Sequence, residues 1–340
     1  DAHVVRLAGT TNEDLYRVFH ECLLPLAPDF GFEFYKDRIR AQHSIINAKD
    51  PIDQSQVKRT VGNNRSSQDR QEDDIVPSWS RTDSITNISN SIFWTIVMLA
   101  DSSLPTGSFA HSAGLEAAAQ LGMIKSEQDV KGFVQAATRS SMHLVTPFLI
   151  AGHRISQQKI GGACTDNVFN IPNEWDKLQQ QCHAVMVTNQ PSCAASIDQG
   201  KSLARIAPQW LKSQPLALPS NHHTQEIIDT LRSGSPHIAP TLGVIGGLLG
   251  LDELQVCRLY AYCMARDVVS AAVRLSLVGP LASVPLLHGI QESADSGIRA
   301  VLPALNEHPD DPLMSAAASA PVIEALHPCH EILQVRLFRT

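Results

Sequence analysis

The sequence predicts an all-α fold, and three observations carry that prediction. From Ile92 onward apolar residues recur at helical spacing. No run alternates apolar and polar residues at the regular spacing of a sheet, and no βαβ alternation occurs. The composition is 43% hydrophobic but only 5% aromatic, which favours aliphatic and alanine packing between helices. At 340 residues the chain has length for one helical domain with extensions or for two average domains.

Taken in order, residues 1 to 48 show a weak helical period in Leu15, Val18, Phe19, Cys22, Leu23 and Leu24, ended by Pro25 and Pro28. Lys49 to Asn90 mixes Asp, Asn, Ser, Arg and Gln with few apolar residues. Such a stretch buries too little surface to offset the entropy of ordering, so it reads as a disordered linker. Residues 1–90 are therefore expected to be an N-terminal extension, and 91–338 the helical domain. That domain opens with Phe93, Ile96, Val97 and Ala100 at helical spacing, interrupted by a turn at Pro105 to Gly107. Phe109 to Leu121 is rich in small residues and reads as a helix that approaches a neighbour closely. Ser126 with Asp129 three residues on predicts an N-terminal cap for a helix running towards Ala151.

Gly161, Gly162 and Asn170 predict a surface loop over Gln157–Pro172, and Pro208, Pro215 and Pro219 predict a second over Ala207–Pro236. These are the insertions expected near 155–175 and 207–236. Ser192 to Ile206 reads as a helix between them. Leu242–Leu249 and Leu251–Val278 read as helices apolar on most faces, which makes them buried or interface helices.

Charge and cysteine usage exclude several functions. A net charge of −7 and the lack of a long basic run argue against nucleic acid as a partner. The apolar stretches Ala239–Leu251 and Val268–Val278 fall short of the roughly 20 residues of a membrane span, so no membrane partner is expected. Seven scattered cysteines without a CxxC pair predict reduced thiols in the cytoplasm, and the residues after Asp1 lack a secretion signal's basic-then-apolar pattern.

A search for chemistry finds no phosphate loop and no HExxH. Gly243, Gly246, Gly247 and Gly250 lie in an apolar helical context, where helix packing is their expected role. Asp101, Ser102, His111 and Ser112 are close enough in sequence to suggest a nucleophile, acid and base. Yet Asp101 and Ser102 follow a helix and precede a proline turn, where short polar side chains bond free backbone groups. His111, on a small-residue helix, reads as a hydrogen-bonded structural histidine. His327, Cys329 and His330 are candidate metal ligands, although their spacing in a turn and helix start is awkward for joint coordination. His222 and His223 are weaker candidates still. Arg266, Asp267 and Arg274 interrupt an apolar stretch, so each must be paired within the chain or meet a subunit.

Leu99-Ala-Asp-Ser-Ser-Leu-Pro-Thr-Gly-Ser-Phe-Ala-His-Ser-Ala-Gly-Leu-Glu116 resembles the signature of the UreF family of urease accessory proteins, approximately LxDSxLPxGxFxHSxGLE. Asp101, Ser102, Pro105, Gly107, His111, Ser112, Gly114 and Glu116 fall on that pattern. Asn189, Ala195, Ser196, Gln199, Gly200 and Leu203 resemble the family's central helix. His237, Pro240, Gly243, Gly247, Arg266, Asp267, Ser270 to Leu275 and Gly279-Pro280 resemble its C-terminal helices, and Pro321, Glu324 and Leu333 to Phe338 its ending. The resemblance spans about Ile92 to Phe338, and the added segments suggest a eukaryotic member of fungal type.

The resemblance implies a helical, non-catalytic scaffold that dimerises and binds UreD (also called UreH). The complex would recruit the GTPase UreG and act on apo-urease so that nickel reaches its active site. No cofactor would be bound stably, with nickel and GTP handled by the partners. Partner contacts are expected at Tyr260, Arg266, Arg274, Gly279 and Pro280 and at Arg336 and Phe338 of the tail, and Arg274→Glu is expected to weaken assembly without unfolding the chain. The competing expectations are an enzyme built on Asp101, Ser102 and His111, and a nickel carrier built on His327, Cys329 and His330.

Overall fold

In the computed structural model the described residues are 84–104, 108–157, 171–213 and 222–339. The extension before Ser84, the Pro105–Gly107 turn and the middles of both expected loops lie outside them. Among the described residues every regular element is helical.

Helix α1, Ser84–Leu99, begins inside the stretch read as a linker. A 3-10 turn at Ser108–Ala110 and a short helix α2, Leu115–Gln120, replace the continuous helix expected over Phe109–Leu121. The break has a backbone cause: Ala113 (φ 54°) and Gly114 (φ 83°) are both left-handed, which no helix accommodates. A Cβ on Gly114 would also lie 2.8 Å from the His327 ring. His111 therefore precedes a helix rather than riding on one.

Helix α3, Glu127–Gln157, is the axis of the molecule. Its start is the expected one: the Ser126 N–H donates to Asp129 Oδ2 (2.9 Å) and the Asp129 N–H donates to Ser126 Oγ (3.2 Å). It runs six residues past Ala151, and its side chains are buried on most faces because helices pack all round it. Helix α4, Ile171–Met186, follows where a loop was expected to continue. Pro172 sits in its first turn, where the missing N–H costs little, and Trp175, Leu178, Cys182 and Met186 form its buried stripe.

Helix α5, Gln190–Ser213, passes through Pro208, and α6, His222–Leu231, fills more of the second expected loop. The prolines mislead because the helix keeps its packing. A proline within a helix costs about 3 kcal/mol, while buried Ala207, Trp210 and Leu211 recover about 1.5–3 kcal/mol for each large side chain. Ile227, Ile228 and Leu231 anchor α6 in the same way.

Helix α7, Ile238–Leu248, is buried along its whole length, as its apolar sequence predicts. It packs against α3 through glycine. A Cβ on Gly243 would stand 2.2 Å from the Leu149 carbonyl oxygen, and one on Gly152 of α3 would stand 2.4 Å from that of Pro240. Helix α8, Glu253–Arg274, carries a capping box between Asp252 and Gln255 and ends before the expected Val278, with Ser276 at φ 59°. Helix α9, Pro280–His288, buries none of its residues. Helix α10, Gln291–Glu307, returns along α3, and α11, Pro321–Cys329, leads through a 3-10 turn at His330–Ile332 into the tail. Two cores result. Phe148, Leu149, Trp175, Leu203 and Ile245 belong to the larger; Leu115, Phe133, Val268, Leu326 and Phe338 belong to the second, where the signature segment sits.

Candidate partner-docking site

The polar residues of the signature segment are committed to local structure. Asp101, exposed just after α1, accepts from the Ser103 N–H (2.7 Å) and Ser103 Oγ (2.6 Å). These bonds hold its carboxyl below the usual range, the side-chain bond contributing most. Ser102 is exposed beside it. His111 is buried, and burial, reinforced by Arg339, lowers its imidazole to about 4 against the opposing Asp198. Ser112 Oγ accepts the Glu116 N–H at 3.4 Å.

Glu116 closes the C-terminal tail. Its carboxylate is 2% exposed and accepts from the Leu337 N–H (2.6 Å), the Phe338 N–H (3.1 Å) and His330 Nε2 (2.8 Å). Burial alone would raise its pKa, but the bonds from Leu337, His330 and Phe338 outweigh it and hold the carboxyl low. Gln120 Nε2 donates to the Val335 carbonyl (2.8 Å), and the Arg339 N–H donates to that of Ala110 (2.8 Å).

Arg274 is part of the same closure. Its guanidinium lies 3.8 Å from the Phe109 ring centroid and 4.1 Å from that of Phe338, and Nη2 donates to the Phe109 carbonyl at 2.6 Å. Arg274 thus joins the signature segment to the tail within one chain, so Arg274→Glu acts on the fold as well as on any surface. Phe338 is buried and Arg336 is exposed. Arg266 donates to Asp267 Oδ1 at 2.7 Å and to the Ala100 carbonyl, the intrachain pairing that one reading of its sequence anticipates.

Tyr260 faces inward, onto a cavity of about 170 Å³ also lined by Asp101, His111, Asp267 and His327, and burial pushes its hydroxyl up to about 12. A far larger groove of about 710 Å³ runs over α8, α9 and α10. Arg266, Arg274 and Pro280 line it with Tyr262, Val269, Val273, Val284 and Leu287. Val284 in its lining is 67% exposed, and Leu281 on the same helix is 90% exposed. Of the expected interface residues, the structure brings Arg266, Arg274 and Pro280 to one surface with exposed Gly279 beside them, and sends Tyr260 and Phe338 inside.

The candidate metal trio His327, Cys329 and His330 is not gathered. His330 is fully buried against Glu116, and half-buried His327 lies 2.9 Å from Asn189 Nδ2 through Nδ1. Both sit at the end of helix α11 and in the turn after it, not at a helix start. Burial lowers the His327 imidazole although Glu324 opposes. The group that does converge among the described residues is His183, Cys193 and His237. Separated by 10 and 44 positions, these residues form no local motif, and only the packing of α4, α5 and α7 joins them.

Comparison with known proteins gives matches over most of the helical domain. The sequence model of the UreF family matches residues 124–291, a span that leaves out the Leu99–Glu116 signature and so supports the resemblance independently of it. Urease accessory protein F of Oryza sativa subsp. indica is 34% identical over 247 residues, covering 73% of this chain and 85% of the rice protein. Urease accessory protein F of Arabidopsis thaliana is 30% identical over 254 residues, 74% of this chain and 93% of that protein. Urease accessory protein 6 of Cryptococcus neoformans var. grubii is 24% identical over 235 residues, 56% and 74% of the two chains.

Proposed function

The chain belongs to the family of urease accessory protein F, and on that premise we propose that it serves urease maturation as a non-catalytic scaffold. In this reading it dimerises, assembles with UreD/UreH and the GTPase UreG in the cytoplasm, and presents them to apo-urease. Nickel and GTP are handled by those partners, so the chain needs no nucleotide cofactor of its own.

The observation that carries the reading is the groove over α8 to α10 together with the exposed apolar side chains of α9. Helix α9 buries none of its residues and exposes Leu281 and Val284, the pattern of a surface that meets another protein. Helix α8, which forms the groove floor, is itself a core helix, so an occupant of the groove would be coupled to the centre of the fold.

An enzyme reading finds less support. Asp101 is engaged by Ser103, Ser102 lies outside the inner cavity, and that cavity is below the roughly 300 Å³ at which pockets begin to hold small-molecule ligands. The deciding experiment is reconstitution of urease activation from purified components with and without this chain. Activation that depends on the chain is expected, and activation that proceeds equally well without it refutes the scaffold role. No helix of the described residues is long and apolar enough to cross a membrane.

A further inference from the structure

Three helices deliver three metal-ligating side chains to one point. His183 comes from the last turn of α4, Cys193 from the first turn of α5, and His237 from the N-cap of α7. His183 Nδ1 is 3.3 Å from His237 Nε2 and 3.5 Å from Cys193 Sγ, and all three ligand atoms lie within 4.8 Å of one another. We propose that His183, Cys193 and His237 form a tetrahedral binding site for a divalent ion of the zinc type, with the fourth position open to water.

The distances are those of a coordination sphere. Zinc bonds of about 2.0–2.1 Å to nitrogen and about 2.3 Å to sulfur place two nitrogens about 3.4 Å apart and a nitrogen and a sulfur about 3.6 Å apart in tetrahedral geometry. The same separations let the three side chains hydrogen-bond to one another while no ion is held. One nitrogen of His183 also faces both other ligand atoms, more than a single ring N–H or lone pair serves well.

The surroundings are built to aim the ligands. His237 Nδ1 is 3.1 Å from Ser196 Oγ, which also accepts the Ile238 N–H at 3.4 Å. With Nδ1–H donated to Ser196, the Nε2 lone pair points to the site, the usual arrangement of a metal-bound imidazole. The backbone of His237 is fixed by its N–H donating to Gln179 Oε1 (2.8 Å). Gly200 lets this strand of chain lie against α5, since a Cβ there would stand 2.1 Å from the Pro236 carbonyl oxygen.

Cys193 and His237 are buried while His183 is exposed, so the site has two fixed ligands and a solvent-facing one through which an ion can enter. Binding converts the Cys193 thiol to a thiolate, its proton leaving to solvent as the metal–sulfur bond forms. A mixed nitrogen and sulfur set in tetrahedral arrangement selects zinc over harder or square-planar ions. The ion would tie α4, α5 and α7 together at the edge of the larger core. This departs from the expectation that no metal is bound stably, and it stands apart from the scaffold reading: the reconstitution outcome does not bear on it.

Cobalt(II), a coloured substitute for zinc, tests the site. The reduced, chelator-treated full chain is titrated with cobalt(II) and its spectrum recorded. The expected result is one equivalent bound, with a thiolate-to-cobalt charge-transfer band and the intense visible bands of tetrahedral cobalt, displaced by one equivalent of zinc(II). Cys193→Ser should abolish the charge-transfer band, His183→Ala should weaken binding at least tenfold, and Cys329→Ser should change neither. His183 is exposed, so His183→Ala should keep the parent far-UV circular dichroism and remains a fair test if Cys193→Ser folds poorly. Absence of the thiolate band from the parent, its persistence in Cys193→Ser, parent affinity in His183→Ala, or its loss in Cys329→Ser overturns the assignment.

Discussion

At Glu116 a carboxylate is taken out of water and held by two backbone N–H groups and a histidine ring, all from residues 330–338. Its lowered pKa sets the sign of a pH dependence. A depressed carboxyl contributes stability that is present above its unfolded value, about 4.3, and is lost as pH falls through the lower folded value. Glu116→Gln removes the charge and places an amide donor against other donors, so it should cost about 1.5–3 kcal/mol at pH 7. In urea titrations the gap between parent and variant should narrow as the pH drops below 4; a gap that stays constant into acid would show that the charge is immaterial. The residue-level lesson concerns Asp101 and His111 too. Their types were readable as acid and base, but a side chain's chemistry is set by what surrounds it, here a serine turn for one and burial for the other.

Helix recognition succeeded where the code is local. The Ser126–Asp129 cap, the apolar run of α7 and the long α8 are all visible in spacing and capping residues, because capping and amphipathicity involve neighbours within a turn or two. It failed at Pro172, which a first-turn position makes cheap, at Pro208, where burial outweighed a local breaker, and at Ala113–Gly114, where a left-handed pair that brings Gly114 against His327 interrupts a stretch of good helix formers. The glycine contacts between α3 and α7 lead to a prediction on the same scale. Gly243→Ala would improve helix propensity in isolation yet force a methyl against the Leu149 carbonyl. The collision should dominate, lowering stability by about 1–3 kcal/mol as overpacking does. A melting temperature equal to or above the parent's would show that α7 and α3 separate more easily than their packing implies.

For the whole molecule the decisive feature is the asymmetry of its surface. The tail, signature segment and Arg274 are locked into one chain, whereas the face formed by α8, α9 and α10 leaves apolar side chains in water. Replacing Leu281 and Val284 together by Glu should leave the melting temperature near that of the parent, since exposed side chains contribute within about 0.5 kcal/mol. Co-purification with the accessory partners should fall sharply. Full recovery of the complex would move the docking surface elsewhere. Arg274→Glu makes a useful contrast, because it should loosen the tail and lower the melting temperature while also disturbing the groove.

By itself the sequence determined the helical class, the family resemblance, the start of the central helix and the glycine-rich packing helix, all of which rest on local periodicity, capping or a contiguous motif. Tertiary structure alone decided that Glu116 binds the tail, that Arg274 sits between Phe109 and Phe338, that Tyr260 turns inward, and that His183, Cys193 and His237 meet. Each of these joins residues many positions apart, or depends on which face of a helix is covered. Such relations follow from how helices pack, and packing is fixed by the fit of whole surfaces rather than by any short stretch of chain.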